Sequence, residues 1–504
     1  MKDILIKYAI VAFSVVLFYN VFWHASAFDI NLISFGLFSM ASIIFINKEV
    51  LKRPIIQHLS IIVFLSAIAV VLSGSGFSKT IFFFSFFFFV AAYNFQKLKT
   101  IVFLPLAFLI GAAVSPFRAI YTIYVDYKSV KTTKKGYKKS SKFLIYTIPV
   151  LVLFLFMILF SYANPKFAEL VHSIFIPIKK FFRAFIELFE VGKIALIIFG
   201  LFWAFMFYLS SSMSDIIGLT DNWTIDIIRD RSKKIFKTQK IVALKNEYKA
   251  TLFLAITMNV MLLCLNFLDI SWVWFGFTPV EQELSNFVHE GTYMLIISVL
   301  ITFGIIMYIF RRNQNFYPKA NVLKKVSYFW LAQVAILLVS VIIKNCHYIS
   351  YYGLTSKRIG VFVFLLVIIV TLFVVFYKLW KNKSAFYVIS QSAKLGLLTL
   401  VIVSFINWDC VVVRYNLETE YQAEIDYNYL LSFSNKTSYI LLEHKDMFED
   451  NSHERIDYKV KSFEKWYDRK QGFSFSLTSY MAHNKNQKNS QIESILSKDE
   501  DFEY

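Results

Sequence analysis

Glycine and proline are scarce in this chain, 15 and 8 in 504 residues, and no Gly/Ser- or Pro-rich stretch joins one part to another. That excludes a string of soluble domains on flexible linkers. Cysteine is rarer still. Cys264, Cys346 and Cys410 have neither zinc-ligand spacing nor the even count of a disulfide framework. Internal repeats are missing, and the apolar runs lack the two-residue alternation of a membrane barrel. "HEGTY" at His289 and "HERID" at His453 begin like a metal-hydrolase helix, but neither supplies the second histidine. No metal and no cofactor is expected.

What is present is apolar. The chain is 57% hydrophobic with 56 Phe, and only 17% of it is charged. Runs of about 20 apolar residues satisfy their own backbone in lipid as helices. Eleven such runs occur, at 4–23, 30–46, 55–72, 80–94, 143–162, 194–213, 250–268, 292–310, 327–343, 359–377 and 386–406. The first has no small-residue cleavage site and reads as a retained helix. A further run, "IVFLPLAFLIGAAVSPFR" (101–118), carries Pro105 and Pro116 and precedes seven lysines between Lys128 and Lys142. The expected fold class is all-α: a polytopic transmembrane helix bundle of about 11 spans with a C-terminal extracytoplasmic helical tail.

The net charge of +19 conceals a division. Residues 407–504 hold 12 Lys/Arg against 18 Asp/Glu, and residues 1–406 hold 41 against 16. Such a basic excess suggests nucleic acid in a soluble protein. Here it sits in short loops between apolar runs, where retention of positive charge on the cytoplasmic side explains it and nucleic acid is not expected as a partner. With a cytoplasmic N-terminus and 101–118 not crossing, segments 47–54, 118–142, 213–246, 311–325 and 378–383 face the cytoplasm with three, eight, seven, five and three Lys/Arg. Segments 24–29, 73–78 and 268–291 face outward with none. Residues 101–124 then form an interfacial or re-entrant helix, and the acidic tail lies outside. Two outer segments are basic: 344–358, with Lys344, Lys357 and Arg358, and 163–193, with Lys179, Lys180 and Arg183. The latter has the spacing of an amphipathic helix on the outer leaflet or of an extension of its neighbouring span.

The expected organisation is N-terminal spans with the interfacial helix (1–125), a main bundle (126–406), a helical extracytoplasmic domain (407–483) and a disordered end (484–504). Within the tail, Asn407 and Asp409 cap or terminate the last span. Asn416 is placed as an N-cap with Glu418 and Glu420 behind it. Two short helices are expected on either side of Asn435.

Four stretches, in order, carry a family resemblance: "FSYANPKFAEL" with Asn164 and Pro165, "TPVEQELSNFVHEGTYML" with Glu290, "YISYYGLTSKRIGVFVF" with Tyr352, Gly353 and Arg358, and "VVVRYNLETEYQAEIDYNYLLSFS" with Arg414, Tyr415, Asn416 and Asp426. Together they resemble a bacterial polytopic membrane family catalogued as domain of unknown function 4173, related to the one numbered 4153. The resemblance covers roughly residues 140–480. It departs at "VHEGTY", where Phe287 and His289 replace the more usual Tyr and basic residue. It implies a protein of the bacterial cytoplasmic membrane and no particular activity.

Ionisable residues inside spans are the usual functional pointer in lipid. Lys394 is the deepest, either snorkelling to the cytoplasmic face if its span starts near Ser390 or making a buried contact. Gln333 and Asn259 suit inter-helix hydrogen bonds. Seven of the eight histidines fall on the expected outer side, scattered rather than paired. Outer carboxylates Asp29, Asp269, Glu281, Glu283 and Glu290 would suit a transferase. Trp272 and Trp274 beside them equally suit an aromatic belt. Arg414 stands just past the last span. It is placed either to clamp a lipid phosphate or to pair with Asp426 or Glu290 and dock the tail, with the Tyr352-Gly353…Arg358 turn as the surface that receives it. No catalytic residue is assigned. The leading expectation is a non-enzymatic protein acting by interaction with the bilayer and an unidentified envelope or membrane protein. A permease or lipid-handling transporter, and a membrane-embedded transferase, are the alternatives.

Overall fold

Apolar runs separated by short polar turns give helices, and the computed structural model is helical over most of its described residues. It describes residues 2–23, 30–131, 173, 191–209, 224–227, 237–275, 296–420, 424–469 and 475–500. Among them the only extended pairing is one isolated bridge between Asp226 and Lys383. The chain divides into two units, one made of Met1–Ala25, Ala41–Asn47 and Leu109–Ser211, the other of Ser26–Met40, Lys48–Phe108 and Ser212–Tyr504.

In the first unit α1 (Lys2–Trp23) packs along α6 (Val191–Ala204), which continues as a π-turn over Phe205–Leu209. A Cβ at Gly200 would stand 3.1 Å from the Phe18 ring, so glycine sets this close approach. Ser14 donates to the Tyr208 hydroxyl at 3.0 Å. Lys7 lies 3.3 Å from Asp126, which also accepts from Tyr8 at 3.1 Å. Asp126 belongs to α5 (Leu104–Lys131); the stretch Ile101–Ala112, which includes the 3₁₀ turn before α5, and the stretch Val114–Lys128 meet at a 54° bend. Pro116 explains it: the ring removes a backbone donor and crowds the carbonyl four residues back, at Ala112.

The second unit holds α3 (Pro54–Ser73), α4 (Gly76–Asn94), α7 (Lys237–Asp269), α8 (Ile296–Ile309), α9 (Ala320–Tyr352), α10 (Ser356–Lys381) and α11 (Ala385–Val403). It also takes in most of α2 (Ile30–Ile46). Neighbours pack in the order α7–α9–α10–α11–α3–α4. Trp330, Leu337 and Val341 of α9 are buried against Phe303 and Ile306 of α8, Leu262 of α7 and Val375 of α10. Each turn has its own cause. Gly74, at φ +53°, closes α3 in the left-handed region, and Ser75 caps α4 by accepting from Ser78. Thr355 caps α10 and Ser384 caps α11. Lys378 reaches from α10 to the Phe310 carbonyl at 3.2 Å, beyond the end of α8.

Beyond α11 the tail folds around its own core. Its helices are α12 (Trp408–Glu418), α13 (Tyr427–Leu431), α14 (Ser438–Glu443), α15 (Asp450–Asp468) and α16 (Leu477–Glu500). Ile440, Leu441, Ile456, Phe463 and Ala482 are fully buried there. Asn407 caps α12, Asp426 caps α13, and a 3₁₀ turn at Asn435–Thr437 joins α13 to α14.

Seven helices among the described residues are long and apolar enough to cross a membrane: Ile4–Phe22, Pro54–Ser73, Gly76–Asn94, Leu244–Asp269, Ala320–Tyr352, Ser356–Lys381 and Ala385–Val403. Three more expected spans appear as shorter apolar helices, Ile30–Ile46, Gly192–Tyr208 and Ile296–Ile309. The expected span 143–162 lies outside the described residues, as does the amphipathic segment 163–193 apart from Ser173 and residues 191–193.

Three readings change. Residues 344–352 belong to α9, so the outer connection shrinks to 353–355. Asn416 lies in the last turn of α12 and is not an N-cap. Residues 484–500 are helical, because α16 is anchored by the buried Asn486, which donates to Ser438 at 3.0 Å and to Glu464 at 3.0 Å.

Candidate functional site: the tail-docking end of the bundle

Two turns and the end of α11 meet the tail. Asn416 is buried and faces Leu354 with both ends of its amide. The Oδ1 accepts from the Leu354 N–H at 2.7 Å, and the Nδ2 donates to the Leu354 carbonyl at 2.8 Å. An asparagine is the shortest side chain that satisfies a backbone donor and acceptor together, as a neighbouring strand would. The Ser356 N–H donates to the Tyr429 hydroxyl at 3.0 Å. Ile349, Leu354, Ile359 and Val412 form the apolar floor of this contact.

The α3–α4 turn is held the same way, through its carbonyls. Asn407 donates to Ser73 at 3.0 Å, Lys436 to Gly74 at 2.6 Å, and Thr478 to Leu72 at 2.9 Å. Ser73 in turn donates to Ser404, past the end of α11. These bonds satisfy carbonyls that every helix end leaves over.

Behind the Gly353 turn the bundle is polar. Asn345 donates to the Arg358 carbonyl at 3.1 Å. The Arg358 guanidinium lies 4.2 Å from the Tyr348 ring centre and donates to the carbonyls of Tyr352 (3.0 Å) and Gly353. One residue before Asn345, Lys344 contacts both oxygens of Asp269, at 3.0 and 3.1 Å, with side chains 5% and 10% exposed. This buried ion pair ties the end of α7 to α9. Further along the same two helices, Gln333 donates to Asn259 at 2.7 Å, Asn266 to the Gln333 carbonyl at 3.1 Å, and Trp274 to Ser340 at 3.0 Å.

Sequence reasoning placed Asp269 and Lys344 in separate outer loops and missed their pairing. A signal was present: Gln333, Ser340 and Lys344 follow at spacings of seven and four, one stripe of a helix that continues past residue 343. Lys436 and Thr478 had no local signal, because their partners are backbone carbonyls far away in sequence.

The other singled-out residues fall as follows. Arg414 stands 3.5 Å from Glu418, one turn along its own helix, and not beside Asp426. Asp426 accepts from the Tyr429 N–H at 2.9 Å as a helix cap. Tyr415 packs against the same apolar floor as Tyr429. Lys394 sits midway along α11, nine residues after Ala385, so the late span start needed for easy snorkelling is not found. Asn164, Pro165, Asp29, Glu281, Glu283 and Glu290 lie outside the described residues. Among the described residues no three His, Cys, Asp or Glu side chains gather as metal ligands would.

Inside the tail, burial dominates the ionisable groups. It pushes the Cys410 thiol up to about 11, with Asp409 adding to the effect, and the neighbouring Tyr439 hydroxyl up to about 12. Burial also holds Lys459 below the usual lysine range, with Arg455 beside it acting in the same direction.

Residues 32–442 match the family model described as a domain of unknown function (DUF4153). The chain belongs to this family. The match takes in the bundle from α2 onward, both docking turns and the tail as far as α14. No curated protein and no solved structure shows a significant match to the chain. The several long apolar helices agree with a multi-pass membrane protein.

Proposed function

We propose that this DUF4153 protein works by interaction, as an envelope sensor, assembly factor or regulator, with the tail domain as the module that meets a partner and the docking end as the joint that passes the result to the bundle. The paired hydrogen bonds between Asn416 and Leu354 carry this reading. They attach a separately cored domain to a three-residue turn whose other side leads, through Asn345, to the Lys344–Asp269 pair. A partner that pulled on the tail would act on a connection made of few bonds, next to a charge pair that is costly to disturb.

The same reading places eleven spans in a bacterial cytoplasmic membrane, with the N-terminus inside and the tail outside. It also relates the chain to the family numbered 4173 through the "YYGLTSKR" and "VVVRYNLETEY" stretches. Support for the orientation comes from the basic residues around the α10–α11 turn, Lys378, Lys381 and Lys383, at the end of those helices away from the tail. The buried Lys344–Asp269 pair also favours a second reading, a permease or lipid-handling protein, since paired intramembrane charges recur in substrate paths.

The test is genetic and direct. Deleting 407–504 and substituting Asn416→Ala are each expected to abolish whatever phenotype loss of the whole protein gives, while Lys394→Ala leaves function intact. A phenotype lost with Lys394→Ala but kept in the tail deletion would support the transport reading and overturn the interaction reading.

A further inference from the structure

The tail carries a cavity of about 600 Å³ whose floor is formed by Leu431 and Phe433 and whose walls present Asn435, Arg455, Tyr458 and Lys459. Its place relative to the candidate spans is set by what brackets the floor. Tyr429, just before it, bonds the first residue of the span Ser356–Lys381. Lys436, just after it, bonds the turn that ends the span Pro54–Ser73. With those two helices crossing the bilayer as proposed above, residues 431–435 lie at the level where spans end and lipid headgroups begin.

The chemistry of the walls is unusual for a water-facing groove. Lys459 is 8% exposed, and its ammonium donates to the carbonyls of Leu431 (2.8 Å) and Phe433 (2.6 Å). Those two bonds leave a third N–H with no protein partner among the described residues. Arg455 uses one nitrogen on Asn428 at 2.7 Å, which leaves the rest of its fork for another acceptor. Two neighbouring cations, one of them buried, have neutral hydrogen-bond acceptors, with Asp409 acting on Lys459 and Glu454 lining the cavity as the acidic groups nearby. Tyr458 stands 73% exposed beside them, an amphipathic ring of the kind that sits at membrane interfaces.

We propose that this cavity binds the phosphate of a lipid headgroup. The phosphate meets Arg455 and the free N–H of Lys459, Tyr458 and Phe433 lie against the glycerol region, and Glu454 at the rim accepts from the hydroxyl or ammonium group of the headgroup. The site takes its height from the docking contacts and rests on the proposed spans, but it stands whether the protein senses or transports.

Native mass spectrometry of the detergent-solubilised full chain tests it, with added phosphatidylglycerol, phosphatidylethanolamine or a neutral diglycosyl diacylglycerol. The wild type is expected to retain one phospholipid in preference to the neutral glycolipid, and Arg455→Ala to weaken that retention about tenfold. Arg455→Ala removes only the Asn428 bond from the fold, so an unchanged melting temperature certifies it. Lys459→Met, which keeps the buried stem, is expected to weaken retention as well. Equal retention by wild type and Arg455→Ala, or equal retention of the neutral glycolipid, would overturn the proposal. Displacement of the phospholipid by millimolar inorganic phosphate would overturn the lipid as the source and leave a site for free phosphate.

Discussion

At the scale of the residue, the account rests on short polar side chains that satisfy backbone groups. Removing the Asn416 amide leaves the Leu354 N–H and C=O buried without partners. Asn416→Ala is therefore expected to weaken docking by roughly 2–4 kcal/mol, read as a lower melting temperature and faster protease cleavage near residues 419–426. The Lys344–Asp269 pair behaves differently. Lys344→Met or Asp269→Asn alone strands a buried charge and is expected to cost about 3–5 kcal/mol, whereas the double variant recovers most of the loss. A double-mutant cycle on thermal stability in detergent measures this, and additive losses would contradict the pairing. Cys410 gives a pH signature. Its folded value of about 11 lies above the ordinary thiol value of 9.0, so the folded state keeps a proton that the unfolded state gives up between the two. This contribution is present below pH 9 and is lost as pH rises toward 11. Maleimide labelling of Cys410 in the folded protein should be slow at pH 8 and become fast on unfolding in detergent.

At the scale of the element, helix existence was legible and helix length was not. Apolar runs of about 20 residues pointed to every described span, because lipid leaves a helix no other way to satisfy its backbone. The polar extension of α9 through Lys344, Asn345 and His347 was not legible. Those residues read as loop until Asp269 and the Arg358 carbonyl are seen to receive them. The same holds for α16, whose polar sequence hides a buried anchor at Asn486. The turns were partly legible. Gly353 reads in the sequence as a free backbone position, and it adopts φ +77°, ψ −176°, a region essentially closed to other residues. Gly74 has no such signal in the sequence. It has φ +53°, and a Cβ there would come within 2.5 Å of the Lys436 ammonium and 2.6 Å of the Ser476 Cβ. Gly353→Ala and Gly74→Ala are each expected to destabilise by about 1–3 kcal/mol from backbone strain. The Gly74 variant should also loosen the tail, which hydrogen exchange at Ser476–Tyr480 detects. An effect confined to the α3–α4 turn would contradict that contact.

At the scale of the whole molecule, charge and contacts support the proposed orientation. The tail touches the α3–α4 and α9–α10 turns and the end of α11, so these share one end of their unit. At the other end, Arg53 donates to the carbonyls of Ala92 and Gln96, and Lys383 pairs with Asp226 at 2.5 Å. That end is the basic one, with Lys48, Lys52, Lys97, Lys99 and Lys381 nearby in sequence. On the proposed reading, retention of positive charge in the cytoplasm would put the tail outside. Cysteine-free protein carrying single cysteines at Gly76, Thr355, Ser452, Lys97 or Lys383 tests this in intact cells with a membrane-impermeant maleimide. The first three are expected to label without permeabilisation and the last two only after it; labelling of Thr355 and Lys383 from the same side would contradict the account.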